Sequence, residues 1–508
     1  MRQYEMCEIS WNIAETPAEW GLYAPEVTFT CGESVHKMKG FVAGDKLCKA
    51  RFLPETPGTW EYSVAGCDVS GKLEVEAASE GNHGMVSAVG HHFEYQDGTY
   101  CYPFGTTIYA LVHQSEELYE QTMKTLESAP FNKIRFCMFP KHYDYNHNEP
   151  RFYAFEKTDD KWDVKKPNFE YWNMVEDAIL RLQKMGTECD LILFHPYDRW
   201  DFSKFSEEED LTYLNYLLRR LSAMPNVWWS MSNEYDLVET KTIEHWEHIE
   251  EFLAEEDPYH HLIGNHNCFA FWDHSRKNIT HASLQTKQLS RVGEWITKYD
   301  KPVCIDECCY EGNIIHAWGS ISGKEMTYRF WRTVCLGGYC THGETFYSDD
   351  EVLWWARGGS LKGESPERIA YLKSIVNELP GPIEPMPSGL NRMISATPED
   401  LEKVKANNPG MYFFISAAAR LGEVEGAMFK NAEDDYSGQV GDGEAFITFY
   451  NIRTCVKGSM RLLEDKKYRI EVIDVWNMTR KTIVEGVSGE TEFDLPGFEG
   501  MAVLATKM

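Results

Sequence analysis

Positively charged residues are scarce in this chain relative to acidic ones. Its 508 residues include 50 Lys and Arg against 80 Asp and Glu, which gives a net charge of −30 at pH 7. Binding to a phosphate backbone or to anionic lipid depends on Lys and Arg. The sequence therefore predicts a protein that binds neither nucleic acid nor a membrane surface.

Long apolar runs are also missing. No stretch of about 18 apolar residues occurs, so no transmembrane helix is predicted. The first residues, MRQYEMCEISW, lack the apolar core of a signal peptide, and we expect a cytoplasmic protein. The 14 Cys include no CxxC pair and many lie in apolar runs, which favours buried, reduced thiols and leaves a few pairings open.

Several catalytic signatures are absent too. The sequence has no GxGxxG turn after the first strand of its middle region, no HExxH and no GxSxG. His245 and His248 lie three residues apart on a predicted outer helix, where a solvated face is favoured over a metal site. We therefore predict that no metal and no cofactor is required.

The two ends of the chain contain short alternating strand patterns between turn residues. Residues 1–82, with the turn PETPGTWEY, predict an immunoglobulin-like β-sandwich. Residues 383–508 predict a second β-sandwich, with strands in MYFFISAA, EAFITFYNI, YRIEVIDVW and TEFDL.

The middle region, residues 83–382, alternates apolar β-type segments with helical periodicity. Eight such segments begin near residues 101, 133, 189, 227, 261, 279, 301 and 337. Strands that alternate with helices indicate a parallel sheet, and eight of them over this length are typical of a (β/α)8 barrel. The fold class is thus α/β, a TIM barrel flanked by two β-sandwiches; an open doubly wound sheet is the alternative.

Polar residues cluster where the predicted barrel strands end, which is where barrels place their catalytic groups. Strand four ends in Asn233-Glu234 and strand seven in Asp306-Glu307. Strands four and seven face each other across a barrel mouth, so two carboxylates can flank one substrate atom. Cleavage of a glycosidic bond needs such a pair.

This pattern resembles the clan A glycoside hydrolases, which are retaining enzymes. The resemblance implies that Glu234 is the acid/base, Glu307 the nucleophile and Asn233 a ligand of the sugar 2-hydroxyl. Arg135, which we expect to end strand two in KIRF, would lie beside Glu307 and keep it ionised. Strand six ends in Gln285, where many clan members have Tyr or His; Gln285 or Tyr310 would replace that contact with the nucleophile.

A narrower resemblance covers nearly the whole chain. A PGTWEY turn, the entry strand FGTT and the helix start GESPERI resemble apiosidase-like glycosidases, which carry an N-terminal immunoglobulin-like domain. This likeness identifies architecture better than substrate. Further candidate sugar contacts at the strand ends and in the loop after strand eight are His142, His195, Asp198, Asn267, Glu344, Trp354 and Trp355.

The predicted function is a retaining, exo-acting glycoside hydrolase that cleaves short glycosides by double displacement. Two alternatives stay open, namely a non-catalytic carbohydrate-binding barrel and an inverting glycosidase. The expected partner is a small oligosaccharide or glycoside. The sequence leaves open the sugar, the aglycone, the linkage and a homo-oligomeric state.

Overall fold

The computed structural model describes residues 1–386, 393–422, 424–426 and 436–508. The chain divides into two units. The first contains Met1–Val89, Phe93–Gln285 and Gly343–Leu361, and the second contains Gly90–His92, Thr286–His342 and Lys362–Met508. Among the described residues, no helix has the length and apolarity needed to cross a bilayer.

The N-terminal part is a sandwich of two antiparallel sheets. One sheet has the strands Cys7–Asn12, Leu47–Phe52 and Phe41–Gly44, in that order, and the other has Ser34–Lys39, Glu26–Cys31, Gly58–Val64 and Ser70–Val75. Alternate residues of these strands point inward and form one core. Within it, the ring of Phe52 lies 4.7 Å from that of Phe29 and 4.6 Å from that of Trp60.

Eight parallel strands form the barrel, and we number them one to eight in chain order. They are Phe104–Thr107, Lys133–Cys137, Glu188–Phe194, Val227–Ser232, Ile263–Gly264, Ala282–Gln285, Val303–Glu307 and Tyr339–His342. Each of the eight segments predicted from the sequence overlaps one of them, and strand three begins one residue before its predicted segment. The short strands Val86–Val89, His92–Tyr95 and Tyr100–Cys101 precede the barrel.

The sheet order is five, four, three, two, one, eight, seven, six. A bridge between His266 and Ser283 joins the segments of strands five and six at the remaining gap. Sequential neighbours around the whole ring are the topology of a TIM barrel, so the predicted fold class is confirmed.

Most of the helices between the strands begin with a side-chain cap. Ser206 and Glu209 form a capping box at the start of Glu207–Leu221, and Asn168 caps Phe169–Lys184. The other barrel helices and the helices that follow strand eight are Glu116–Leu126, Ile243–Glu256, Val292–Tyr299, Gly323–Cys335, Trp354–Arg357 and Ser365–Asn377. Buried apolar residues recur at helical spacing along these elements, as with Val175, Ile179 and Leu182 in Phe169–Lys184.

The C-terminal part contains a six-stranded antiparallel sheet of Ile383–Pro385, Tyr436–Val440, Ala445–Phe449, Met501–Lys507, Tyr468–Asp474 and Thr479–Val487. A two-stranded sheet consists of Lys457–Arg461 and Glu490–Asp494. Phe493 from the smaller sheet shares a core cluster with Ile470 and Val503 of the larger one. The C-terminal β domain is thus confirmed.

One predicted strand is a helix. The run MYFFISAA lies in the helix Pro409–Ala418, which follows the helix Pro398–Asn407. Asn408 caps the second helix by accepting from the Met411 N–H, and Pro409 occupies its first turn. These start signals outweigh the β propensity of the aromatic run. Phe413 is 77% exposed and Phe414 58% exposed, so the run is not a buried strand.

Candidate active site

Glu234 lies two residues beyond the end of barrel strand four, in a backbone conformation that non-glycine residues seldom adopt. Its φ is +53°, in the left-handed region, and its side chain is buried. Neighbouring backbone bonds hold this turn: Asn233 N–H donates to the Phe194 carbonyl and Tyr235 N–H to the His266 carbonyl, each at 2.9 Å. Strained backbone of this kind persists where the surroundings fix it, and it is frequent at functional sites.

Two side chains donate to the same oxygen of Glu234. The Tyr197 hydroxyl donates to Oε2, and Asn233 Nδ2 lies 3.3 Å from that atom. Asn233 is itself oriented by the Tyr109 hydroxyl, which donates to its Oδ1 at 3.1 Å. Side chains from the ends of strands one, three and four thus meet at this carboxylate.

The other predicted residues of strand three serve their own loop. Asp198 accepts from the backbone N–H groups of Trp200 and Ser203, at 2.7 and 2.6 Å. His195 is buried and its Nε2 donates to the Phe139 carbonyl at 3.1 Å. Burial and, to a smaller extent, the nearby Lys141 charge lower the pKa of His195 to about 3, against the opposing effect of the Phe139 bond.

Aromatic residues from the loops after strands two and eight pack together beside this site. The Trp355 ring lies 5.9 Å from that of Tyr109, 5.2 Å from that of Tyr143 and 5.4 Å from that of Tyr145. Trp354, by contrast, is buried and donates through Nε1 to Thr106 Oγ1 at 2.9 Å. Of the two predicted tryptophans, Trp355 therefore belongs to the aromatic group around Tyr109, and Trp354 packs against strand one.

His142 lies in the loop after strand two. Its Nε2 is 3.3 Å from His147 Nδ1, and its ring contacts Trp200 edge-on at 6.0 Å. Glu344 is buried in the short strand Glu344–Thr345. These contacts give each side chain a defined place but do not by themselves assign a role.

Asn267 and Gln285 bind each other across the ends of strands five and six. Asn267 Nδ2 donates to the Gln285 carbonyl at 3.2 Å, and Gln285 N–H donates to Asn267 Oδ1 at 3.1 Å. Nearby, Asp236 accepts from three successive N–H groups, those of Cys268, Phe269 and Ala270. The loop after strand five is thereby tied to the turn that carries Glu234.

The prediction that Arg135 ends strand two is wrong, because the strand continues for two residues beyond it to Cys137. It is fully buried, and its Nε lies 3.2 Å from Asp190 Oδ2 on strand three. Lys133 approaches the same carboxylate oxygen at 2.8 Å. Arg135 is therefore part of a buried charge cluster inside the barrel.

In the second unit, strand seven ends in the two neighbouring acids Asp306 and Glu307, both buried. Asp306 accepts a hydrogen bond from the Thr341 hydroxyl on strand eight at 2.9 Å. The Glu307 carbonyl accepts from Thr286 N–H at 2.9 Å. Tyr310 is buried just beyond, with its N–H donating to the Trp318 carbonyl at 2.7 Å.

Sequence reasoning missed three side chains of the Glu234 surroundings, namely Tyr109, Lys141 and Tyr197. Tyr197 lies within the polar cluster HPYD that ends strand three, and Lys141 is next to His142. For these two residues, the position beside a predicted site residue was the sequence signal that could have identified them. Their functional contacts depend on side-chain directions, which the residue pattern does not encode.

Residues 87–380, more than half of the chain, match the family model for the apiosidase-like catalytic domain. Residues 434–506 match a domain of unknown function, DUF5605. Among curated proteins, no sequence matches this chain.

Solved structures agree with this assignment. A crystal structure of a candidate glycoside hydrolase from Bacteroides vulgatus ATCC 8482 is 29% identical, with a TM-score of 0.84 over 100% of this chain and 99% of that one. A family 5 glycoside hydrolase from the same organism is 14% identical, with a TM-score of 0.59 over 84% of this chain and 94% of that one, a likeness in fold. The chain therefore belongs to the apiosidase-like family and is a glycoside hydrolase.

Proposed function

We propose that this enzyme hydrolyses short glycosides from their ends with retention of anomeric configuration. Glu234 is the acid/base and Glu307 the nucleophile. The observation that carries the proposal is the constrained Glu234 carboxyl, which lies at the end of strand four with two donors on its Oε2. A carboxyl held this way has a defined proton-transferring oxygen, Oε1.

In the first step a Glu307 oxygen attacks the anomeric carbon and forms a glycosyl ester. The bond from that carbon to the leaving oxygen breaks, and this oxygen takes the proton from Glu234 Oε1. Glu234 is left as a carboxylate. The Tyr197 hydroxyl stabilises this anion, because hydrogen bonds to a charged acceptor are stronger than those to a neutral one.

In the second step Glu234 takes a proton from water, and the water oxygen attacks the anomeric carbon. The ester bond breaks, Glu307 leaves as a carboxylate, and the sugar is released with its original configuration. Glu234 has regained its proton and the cycle closes. Asn233, already oriented by Tyr109, would bind the 2-hydroxyl with an Nδ2 hydrogen.

The choice of Glu307 over its neighbour is supported by the role that Asp306 already has. Asp306 accepts from Thr341 on the adjacent strand. Neighbouring residues of a strand point to opposite faces, so Asp306 and Glu307 have separate surroundings. Arg135, in the same barrel, would favour the ionised nucleophile, and Gln285 or Tyr310 would orient it.

An exo-acting mode, in which the enzyme cleaves its substrate from the end, is supported by the packing of two loops in the first unit. The loop after strand two and the segment 343–361 contact each other through Tyr143 and Trp355, and through Tyr145 and Tyr347 at 6.3 Å. Loops that meet in this way favour a pocket over an open cleft. We propose that Trp355 supplies a stacking face for the sugar and that His142, Asn267 and Glu344 bind hydroxyls.

The test is a panel of nitrophenyl glycosides followed by proton NMR of the first-formed sugar. The panel contains galactoside, glucoside, arabinofuranoside, rhamnoside and apioside. We expect hydrolysis of at least one member, with the starting anomer appearing first. Appearance of the opposite anomer first would mean inversion and would overturn the double displacement. No hydrolysis by wild type, with sugar binding retained, would favour a non-catalytic barrel.

A further inference from the structure

Lys141 is a buried cation enclosed by aromatic rings. It lies four residues beyond strand two, and only 2% of it is exposed. Its ammonium nitrogen is 3.5 Å from the centroid of the Tyr109 ring and 4.1 Å from that of Tyr197. Tyr143 at 4.6 Å and Trp355 at 5.8 Å complete what we call the Lys141 cage.

The two rings nearest the ammonium carry the hydroxyls that orient the acid/base. Tyr197 donates to Glu234 itself, and Tyr109 donates to Asn233, whose amide contacts the same carboxylate oxygen. Lys141 therefore touches, through its cage, both of the tyrosines on which the position of Glu234 depends.

The backbone around Lys141 is fixed as well. Asn146 Nδ2 donates to the Lys141 carbonyl at 2.6 Å, and His142 N–H donates to the Tyr197 carbonyl at 2.9 Å. The loop after strand two is thus attached to the end of strand three at the residue that contacts Glu234. The cage is a built feature of the first unit.

Burying an ammonium is costly, and aromatic faces offset part of that cost by cation–π attraction. An apolar side chain could fill the same space without the cost, so simple packing does not explain a lysine here. A cation over a phenol ring draws electron density from it, which makes the hydroxyl a stronger donor. The Lys141 charge also acts on its surroundings. Burial is the main cause of the lowered pKa of His195, and the Lys141 charge adds to that lowering.

We propose that Lys141 is a positioning residue for Glu234, acting through the rings and hydroxyls of Tyr109 and Tyr197. The proposal rests on the acid/base role of Glu234. Lys141 does not touch the substrate. It fixes the direction of the two hydroxyls and strengthens them as donors, which keeps Oε2 occupied and Oε1 turned to the leaving oxygen.

The experiment compares Lys141→Met, Lys141→Arg and Lys157→Met with wild type on a series of aryl glycosides of the preferred sugar. Lys157 is the matched control, because its ammonium lies 4.4 Å from the Trp162 ring at an exposed position of the hairpin formed by the strands Phe155–Thr158 and Lys161–Pro167. The readout is the dependence of kcat/KM on the pKa of the leaving phenol. A role in packing alone would lower the rate equally along the series.

We expect kcat/KM of Lys141→Met to fall about tenfold or more on unsubstituted phenyl glycoside and to change little on dinitrophenyl glycoside, since only poor leaving groups need a proton. Lys141→Arg, which keeps the charge, should restore most of the loss, and Lys157→Met should match wild type. An equal loss along the series, or no rescue by arginine, overturns the proposal.

Tyr143→Leu provides a second measurement should Lys141→Met not fold. It removes one ring of the cage and none of the hydroxyls that bind Asn233 or Glu234. The proposal is supported if Tyr143→Leu loses kcat/KM mainly on poor leaving groups, as expected for Lys141→Met, but to a smaller extent. It is overturned if kcat/KM of Tyr143→Leu depends on the pKa of the leaving phenol as it does in wild type. Glu234→Gln tests the acid/base role of Glu234 separately from the positioning role of Lys141. If this variant keeps full activity on phenyl glycoside, the proposed function fails and the role of Lys141 fails with it.

Discussion

The hydroxyl of Tyr197 donates a hydrogen bond to Oε2 of Glu234, 37 residues further along the chain. This bond joins the ends of strands three and four at the carboxyl that we assign as acid/base. Because Asn233 approaches the same oxygen, the two oxygens of Glu234 have different surroundings. One accepts hydrogen bonds from the protein, and in the proposed mechanism the other exchanges a proton with the substrate and with water.

Tyr197→Phe should weaken proton donation by Glu234. A hydrogen bond to a charged group contributes about 1.5–3 kcal/mol, so we expect a loss of roughly 10- to 100-fold in kcat/KM on phenyl glycosides. Dinitrophenyl glycosides should lose far less. Steady-state kinetics on both substrates measures the difference.

Tyr153→Phe is the control for that variant, because the Tyr153 hydroxyl donates to Glu149 at an exposed position. It should leave both rates close to those of wild type. If Tyr197→Phe were as active as Tyr153→Phe on phenyl glycosides, the bond to Glu234 would have no part in catalysis.

The two acids that end strand seven should respond differently to amide substitution. Glu307→Gln removes the nucleophile and should abolish turnover of both aryl glycosides. Asp306→Asn keeps an oxygen that can accept from Thr341, so it should retain most of the activity. Mass spectrometry after reaction with a 2-deoxy-2-fluoro glycoside would locate the ester on the peptide that contains both residues. Label on Asp306, or full activity of Glu307→Gln, would reverse the assignment.

The sequence predicted the barrel well because hydrophobic periodicity reports local structure. Strand three, Glu188–Phe194, is buried along its whole length and stands out as an apolar run. For Pro409–Ala418 the prediction of a strand is wrong, since its aromatic residues have β propensity and its helix is marked only by two start signals, the cap Asn408 and Pro409. Propensity over eight residues could not decide between the two structures.

The candidate site was predictable only in part. Strand ends identified Asn233 and Glu234, which the structure brings into contact. The same rule selected Asp198, whose carboxylate serves its own loop, and passed over Tyr197 beside it. Which of two neighbouring side chains turns toward a strand end depends on loop geometry, and that geometry is set by long-range packing.

Glu176 should make the first unit sensitive to acid. It lies between two guanidinium groups: Arg51 Nη1 and Nη2 donate to its two oxygens at 2.7 and 2.8 Å, and Arg220 Nε donates as well. Burial alone would raise its pKa, but Arg220 and Arg51 outweigh burial and lower the pKa to about 2. Its folded pKa is thus below the unfolded value of about 4.3. The resulting stability is present above that value and is lost as the pH falls toward 2.

Glu176→Gln removes the carboxylate that Arg51 and Arg220 share, although Arg51 keeps Glu8 as an ion-pair partner at 2.9 Å. We expect the free energy of unfolding at pH 7 to fall by about 3–5 kcal/mol, as for other broken buried ion pairs. Urea denaturation measures it. Glu61→Gln, which breaks an exposed pair with Lys72, is the control and should change little. A change in Glu176→Gln as small as in this control would contradict a stabilising role for the cluster.

His195 should affect stability in a different pH range. Its folded pKa of about 3 lies below the unfolded value of about 6.5, so the stability from its neutral form is present above pH 6.5 and is lost as the pH falls toward 3. His195→Gln has no proton to gain there and keeps an amide that can donate to the Phe139 carbonyl. Between pH 6.5 and pH 5 wild type should therefore lose more stability than the variant, by up to about 1.4 kcal/mol per pH unit. Urea denaturation at both pH values tests this, and equal losses in the two proteins would mean that His195 already takes up its proton in the folded state.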